Sequence, residues 1–267
     1  MASSYYSVLT SAIDDLLRRG YVSSTQVSLW QARLKEAAEA GFKSDLESSL
    51  GSALEGAFAR LVDRGGLLRY HLGLPLSTLS RLRPILRNEL TKRLLGGTSF
   101  LKLRREEALI ASLRRFGGWA SSLPAGPIST SIRAAKKREI RRPMSQLPLE
   151  ESRAISDQTY KLTSSLNEIV SVEAEALAAC WHSRWRQPGY NFRPDHKERD
   201  EKFFLFKGSW ASQAGFLRPA PFVEDFSRPG EEPFCQCTSK SYYTLESLPP
   251  ELLSPKGLAF IASRAAA

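Results

Sequence analysis

The 267-residue chain is long enough to bury a sizeable core as one large or two modest domains, and its 42% hydrophobic and 25% charged residues are ordinary for a globular protein. No apolar run approaches the roughly 20 residues of a membrane span, acids inside the first apolar stretch exclude a secretory leader there, and three cysteines make no disulfide framework, so a reducing cytoplasm is the expected place of synthesis. The net charge of +10 is concentrated: residues 81–142 carry 16 basic against 4 acidic side chains, net +12, whereas residues 1–80 balance and residues 143–267 come to −2. Clustered Lys and Arg are the electrostatic footprint of phosphate or of an acidic protein surface, although a charge run also serves simply as a solvated face.

In chain order, Tyr5, Val8, Leu9, Ala12, Ile13, Leu16 and Leu17 recur at helical spacing and predict an amphipathic helix over 4–19, stopped by Gly20. A second helix follows from Ser24 or Thr25, with Val27, Trp30, Leu34 and Ala38 on one face and Gly41 at its end. Ser44 and Glu47 form a Ser-x-x-Glu capping box that opens a third, with Leu46, Leu50, Ala53, Ala57 and Leu61 inward as far as Gly65-Gly66. Beyond a turn with Gly73 and Pro75, two further helices are expected over 78–95 and 99–116, broken at Gly96-Gly97, with Pro84 in the first turn of the former.

Residues 121–131 read as an irregular arm leading to the densest basic run, Arg133, Lys136, Lys137, Arg138, Arg141 and Arg142, which are the candidate contacts to a partner ring or to DNA. No aromatic residue for base stacking occurs between Trp119 and Tyr160, so backbone-type charge contact or docking on an acidic partner is favoured over base recognition. The longest helix is expected over 149–182, with Ile155, Leu162, Leu166, Ile169 and Leu177 on one face. The last stretch is turn-rich and aromatic, with Phe203–Phe206 and Tyr242–Leu245 as strand-like pieces. The expected fold is mainly α: a helical domain over 1–120, an extended basic arm over 121–148, the long helix over 149–182 and a small irregular α+β module over 183–267.

Two constellations carry chemistry in that module. His182, His196, Cys235 and Cys237, with Cys180 in reserve, have the donor types of a tetrahedral zinc site, yet Cys-x-Cys is less common than Cys-x2-Cys and the histidines are distant in sequence. The favoured reading packs them in a miniature core, with no metal and no cofactor. His196 with Cys235 or Cys237, or with Asp200, could form a nucleophile–base or hydrolytic pair, but no phosphate loop, nucleophile elbow or HExxH run accompanies them, so no catalytic residue is assigned and the chain is not expected to be an enzyme.

The pieces Pro194-Asp-His196-Lys-Glu-Arg199-Asp200, Gly208-Ser-Trp210-Ala and Pro229-Gly-Glu-Glu-Pro-Phe-Cys235-Gln-Cys237, together with the Trp185-containing WHSRWRQPGY run, resemble the C-terminal part of tailed-phage head proteins. That group includes the Mu F-like minor head (head-morphogenesis) proteins and a podophage-type set of virion proteins. Two positions depart from the pattern: Gln236 stands where arginine is usual, and Glu201 where glycine is usual. The resemblance implies that Trp185, His196, Arg199, Asp200, Trp210, Cys235 and Cys237 form a structural motif of a virion protein. The role expected from it is a head-to-tail connector (adaptor), made in the host bacterial cytoplasm and placed at the head–tail junction. There it would form a homo-oligomeric ring, a dodecamer, between the portal protein and the tail nozzle or tube, without membrane contact. The alternatives are a minor head or ejected internal protein in non-specific contact with packaged DNA, and, outside the virion, a cytosolic DNA-binding protein or nuclease.

Overall fold

The computed structural model describes residues 2–42, 46–145 and 147–265. The chain is mainly α-helical with one small sheet. The helices are α1 (Ala2–Arg19), α2 (Ser24–Phe42), α3 (Leu46–Phe58), α4 (Leu76–Ser121), α5 (Thr130–Met144), α6 (Leu147–Glu173), α7 (Pro194–Glu198), α8 (Trp210–Gln213) and α9 (Pro255–Ala265). The strands are β1 (Ala178–His182), β2 (Phe203–Leu205) and β3 (Thr238–Tyr242). No helix among the described residues is long and apolar enough to cross a membrane. Ser44 of the expected capping box lies outside the described residues.

The chain divides into two compact units, residues 1–51 with 95–155 and residues 52–94 with 156–267, so each is assembled from two separate stretches. The expected 1–120 domain is thus split, and α4 runs unbroken for 46 residues where two helices were expected. Gly96-Gly97 is absorbed in its interior, and Pro84 lies well past its first turn. A helix tolerates such residues when tertiary packing outweighs the cost of about 1 kcal/mol per glycine and about 3 for proline. Leu79, Leu82, Leu86 and Leu90 are all buried on the part of α4 that belongs to the second unit.

In the first unit, the buried stripe of α1 (Tyr5, Leu9, Ile13, Leu16) packs with Val27 and Leu34 of α2, Phe116 and Trp119 of α4, and Ile140 and Met144 of α5. The stretch expected as an extended arm is therefore part of the core. Leu123 and Ile128 are buried, and Arg133 reaches back to the Ile128 carbonyl at 3.1 Å. The entry to α5 is also clamped to the end of α1: Tyr21 N–H donates to the Pro124 carbonyl at 3.0 Å and Ile128 N–H to that of Leu17 at 3.3 Å. Gly20, with φ +74°, permits this approach, since a Cβ there would lie 2.1 Å from the Gly126 oxygen. Periodicity over 130–144 was hidden because only Ile140 and Met144 of α5 are buried, leaving Lys and Arg to dominate the run.

In the second unit, the sheet order is β2-β1-β3, antiparallel throughout, with Ala179 opposite Phe204 and Ser241, and His182 opposite Thr238. The helix expected to continue to 182 ends at Glu173, where Glu175 takes a left-handed φ of +56° and Ala176 N–H caps the Ser171 carbonyl at 2.9 Å. Ala178 to His182 then form the central strand, buried as far as Trp181. A short continuous apolar run fits a strand covered on both faces as well as it fits a buried helix, and here the flanking strands decide.

Candidate metal centre

β1 directs alternate side chains to opposite faces of the sheet. Trp181 points toward α7, where its ring meets that of His196 edge-on, 5.2 Å between centroids. Cys180 and His182 point to the other face, where burial pushes the Cys180 thiol up to about 11 and the His182 imidazole below its ordinary value. Of the five residues with suitable donors, the structure thus brings together only His196, Cys235 and Cys237. Their donor atoms lie within 4.8 Å of one another, and all three side chains are buried. His196 Nδ1 is 3.4 Å from Cys235 Sγ and 3.6 Å from Cys237 Sγ.

The surrounding polar groups orient this trio. His196 Nε2 makes no hydrogen bond of good geometry but faces Glu232 Oε1 at 3.4 Å. Glu232 is in turn held by the Ser227 hydroxyl at 2.7 Å and the Arg193 guanidinium at 2.7 Å, and these keep its carboxyl below the usual range. Cys237 sits below the ordinary thiol value, mainly because of its hydrogen bond with Cys235, whose own thiol rises. Gly230 N–H is directed at Cys235 Sγ at 3.4 Å, and Ser183 Oγ lies 3.8 Å from Cys237 Sγ.

The loop that delivers the cysteines is fixed by neighbours distant in sequence. Tyr190 Oη accepts a hydrogen bond from Gln236 N–H at 3.1 Å, and Arg193 donates to the Pro233 carbonyl at 3.0 Å. Gln236, at the position where the resembled pattern has arginine, leaves its amide oxygen buried without a partner.

The rest of the motif is architectural. Asp200 gathers Ser183 N–H at 2.8 Å, Trp185 Nε1–H at 2.7 Å and Arg186 at 3.0 Å, so it tethers the loop after β1 and does not pair with His196. Arg199 lies over Trp181 and Phe226 and is paired with Asp195 at 2.7 Å. Trp185 is covered by Arg186 and Lys197, whereas Trp210 of α8 meets Phe216 instead of the cluster. A cleft of about 40 Å³ beside Trp181, Phe204, Phe226, Asn167 and Arg228 has room for water-sized ligands, far below the several hundred Å³ of an organic-substrate pocket.

Two buried thiols and an imidazole can hold a soft or borderline cation, and their burial withholds them from an external electrophile. The basic candidates lie elsewhere, on α5 of the other unit. Lys136 pairs with Glu139 at 3.0 Å and Lys137 with Asp14 at 2.6 Å, Arg133 is half-buried, and Arg138, Arg141 and Arg142 are exposed. Sequence reasoning missed Glu232 and Asp157 as supports of the centre, since nothing in their spacing points to His196 or Phe234. Compared with known proteins, the chain matches no family model, no curated protein and no solved structure.

Proposed function

We propose that this chain is a structural protein of a tailed-phage virion, a connector (adaptor) subunit that docks on the portal ring and joins it to the tail. The observation that carries the reading is the surface of the first unit. Leu95, Leu103 and Ile110 of α4 are 72%, 56% and 43% exposed. Their spacing of eight and seven residues keeps them within about 80° of one helix face. Ile132 of α5 is exposed as well, and so are Arg138, Arg141 and Arg142 of the same helix. Large apolar side chains exposed in line mark a contact surface, and a basic helix suits an acidic partner.

The motif that resembles tailed-phage head proteins supports the same class, and its residues are engaged within the second unit. This leaves the first unit to meet neighbouring subunits in a homo-oligomeric ring. In this reading the role is structural and not catalytic, and docking uses a folded basic helix in place of an extended arm.

The deciding experiment is native mass measurement of the purified chain mixed with purified portal rings. The adaptor reading expects a complex with as many copies as portal subunits. A mixture that stays unassociated overturns it. The exposed basic face of α5 favours one second reading, an internal head protein resting on packaged DNA, for which duplex binding would weaken steeply with salt and ignore sequence.

A further inference from the structure

We propose that His196, Cys235 and Cys237 bind a zinc ion, with His196 ligating through Nδ1. An ion bound at about 2.3 Å from sulfur and about 2.0–2.1 Å from nitrogen in tetrahedral geometry holds the S and N donors about 3.6 Å apart. The observed separations of 3.4 and 3.6 Å lie within 0.2 Å of that value. The imidazole nitrogen therefore already stands at ligand spacing from both sulfurs, and all three donor atoms lie within 4.8 Å of one another.

The groups behind the histidine fit as well. A metal-bound histidine ordinarily turns its other ring nitrogen to a carboxylate or carbonyl, which fixes ring orientation and tautomer. Here Nε2 faces Glu232, and that carboxylate is itself anchored by Arg193 and Ser227. Backbone strain points the same way: Phe234, immediately before the first cysteine, is held at φ +59°, in the left-handed region that non-glycine residues avoid. Both sulfurs of the Cys-x-Cys that follows face one imidazole. Three protein donors leave a fourth position open, and Ser183 Oγ lies 3.8 Å from Cys237 Sγ.

The ion would cross-link α7 to the segment entering β3, two parts of the chain with 38 residues between His196 and Cys235. The small module that joins them has only short elements of its own, so a metal staple would contribute directly to its folding.

The test uses the full-length chain purified under reducing conditions without chelator from zinc-supplemented cells. Elemental analysis should find about one zinc per chain. Cobalt exchange should give a thiolate-to-metal charge-transfer band and tetrahedral d–d absorption. Chelator should lower the unfolding midpoint by about 5 °C or more. Cys180→Ser and His182→Gln, on the opposite face of the sheet, should keep the metal, whereas Cys235→Ser, Cys237→Ser and His196→Gln should lose it. If those three variants fail to fold, the cobalt spectrum of the unmodified chain still decides. A helical, zinc-free protein with no thiolate–cobalt band overturns the proposal, as does zinc retained in the Cys235→Ser/Cys237→Ser double variant.

Discussion

Asp157 Oδ1 accepts a hydrogen bond from the backbone N–H of Phe234 at 2.6 Å, so a buried carboxylate on α6 holds the left-handed residue that leads into the two cysteines. The other oxygen of Asp157 is paired with Lys161 at 3.0 Å, one turn further along the same helix. Asp157 thus couples α6 to the geometry of the candidate metal centre.

Asp157→Ala leaves the Phe234 amide and the mostly buried Lys161 ammonium without this partner, at an expected cost of about 3 kcal/mol in unfolding free energy. Asp157→Asn keeps an acceptor and should cost less. Urea unfolding of the two variants side by side measures the difference, and equal losses would remove the hydrogen bond from the account.

Glu201 is exposed and sits at φ +64° while its N–H donates to the Trp181 carbonyl at 2.8 Å. The glycine usual at this point of the resembled motif therefore has a physical reason, since glycine adopts that conformation without a Cβ clash. Glu201→Gly should stabilise the chain by about 1 kcal/mol, whereas Glu201→Ala keeps the strain and should yield no gain. Thermal and urea unfolding both report the contrast.

Helix α5 belongs to the core of the first unit through Ile140 and Met144. Ile140→Ala should lower stability by about 2–4 kcal/mol through the lost contacts and the cavity left behind. Arg138→Ala, Arg141→Ala and Arg142→Ala should each change it by less than about 0.5 kcal/mol, and should act on portal or DNA binding instead. An unchanged unfolding midpoint for Ile140→Ala would return this segment to a loosely attached arm.

His71 is buried, with Nδ1 2.6 Å from the Tyr243 hydroxyl, and burial lowers its imidazole from 6.5 to about 4. In the unfolded chain the same group takes up a proton near pH 6.5, so the unfolded state binds more protons between pH 6.5 and 4. The stabilisation from neutral His71 is therefore complete above about pH 6.5 and is lost as pH falls toward 4, by about 3 kcal/mol over that window. His71→Gln should flatten this part of the stability–pH profile, and an unchanged slope would assign it to other groups.

The helical character of the chain was legible in the sequence, because α1, α2 and α3 each repeat apolar residues at a period that local geometry alone imposes. The Phe203–Leu205 strand and the donor types His196, Cys235 and Cys237 could be named in advance for the same reason: they are local signals. The strand Ala178–His182 could not be assigned that way. The alanine-rich run favours helix by propensity, and only pairing with Phe203–Leu205 on one side and Thr238–Tyr242 on the other makes it the central strand. The same strand then separated the histidines, since its alternation turned His182 away from the face where His196 meets the cysteines. Tertiary contacts also turned the basic arm into a helix, through two buried residues that a run of Lys and Arg concealed. Propensity and periodicity act over a few residues, whereas the choice between strand and helix, and the closing of a site across 38 intervening residues, depend on partners that only the folded chain supplies.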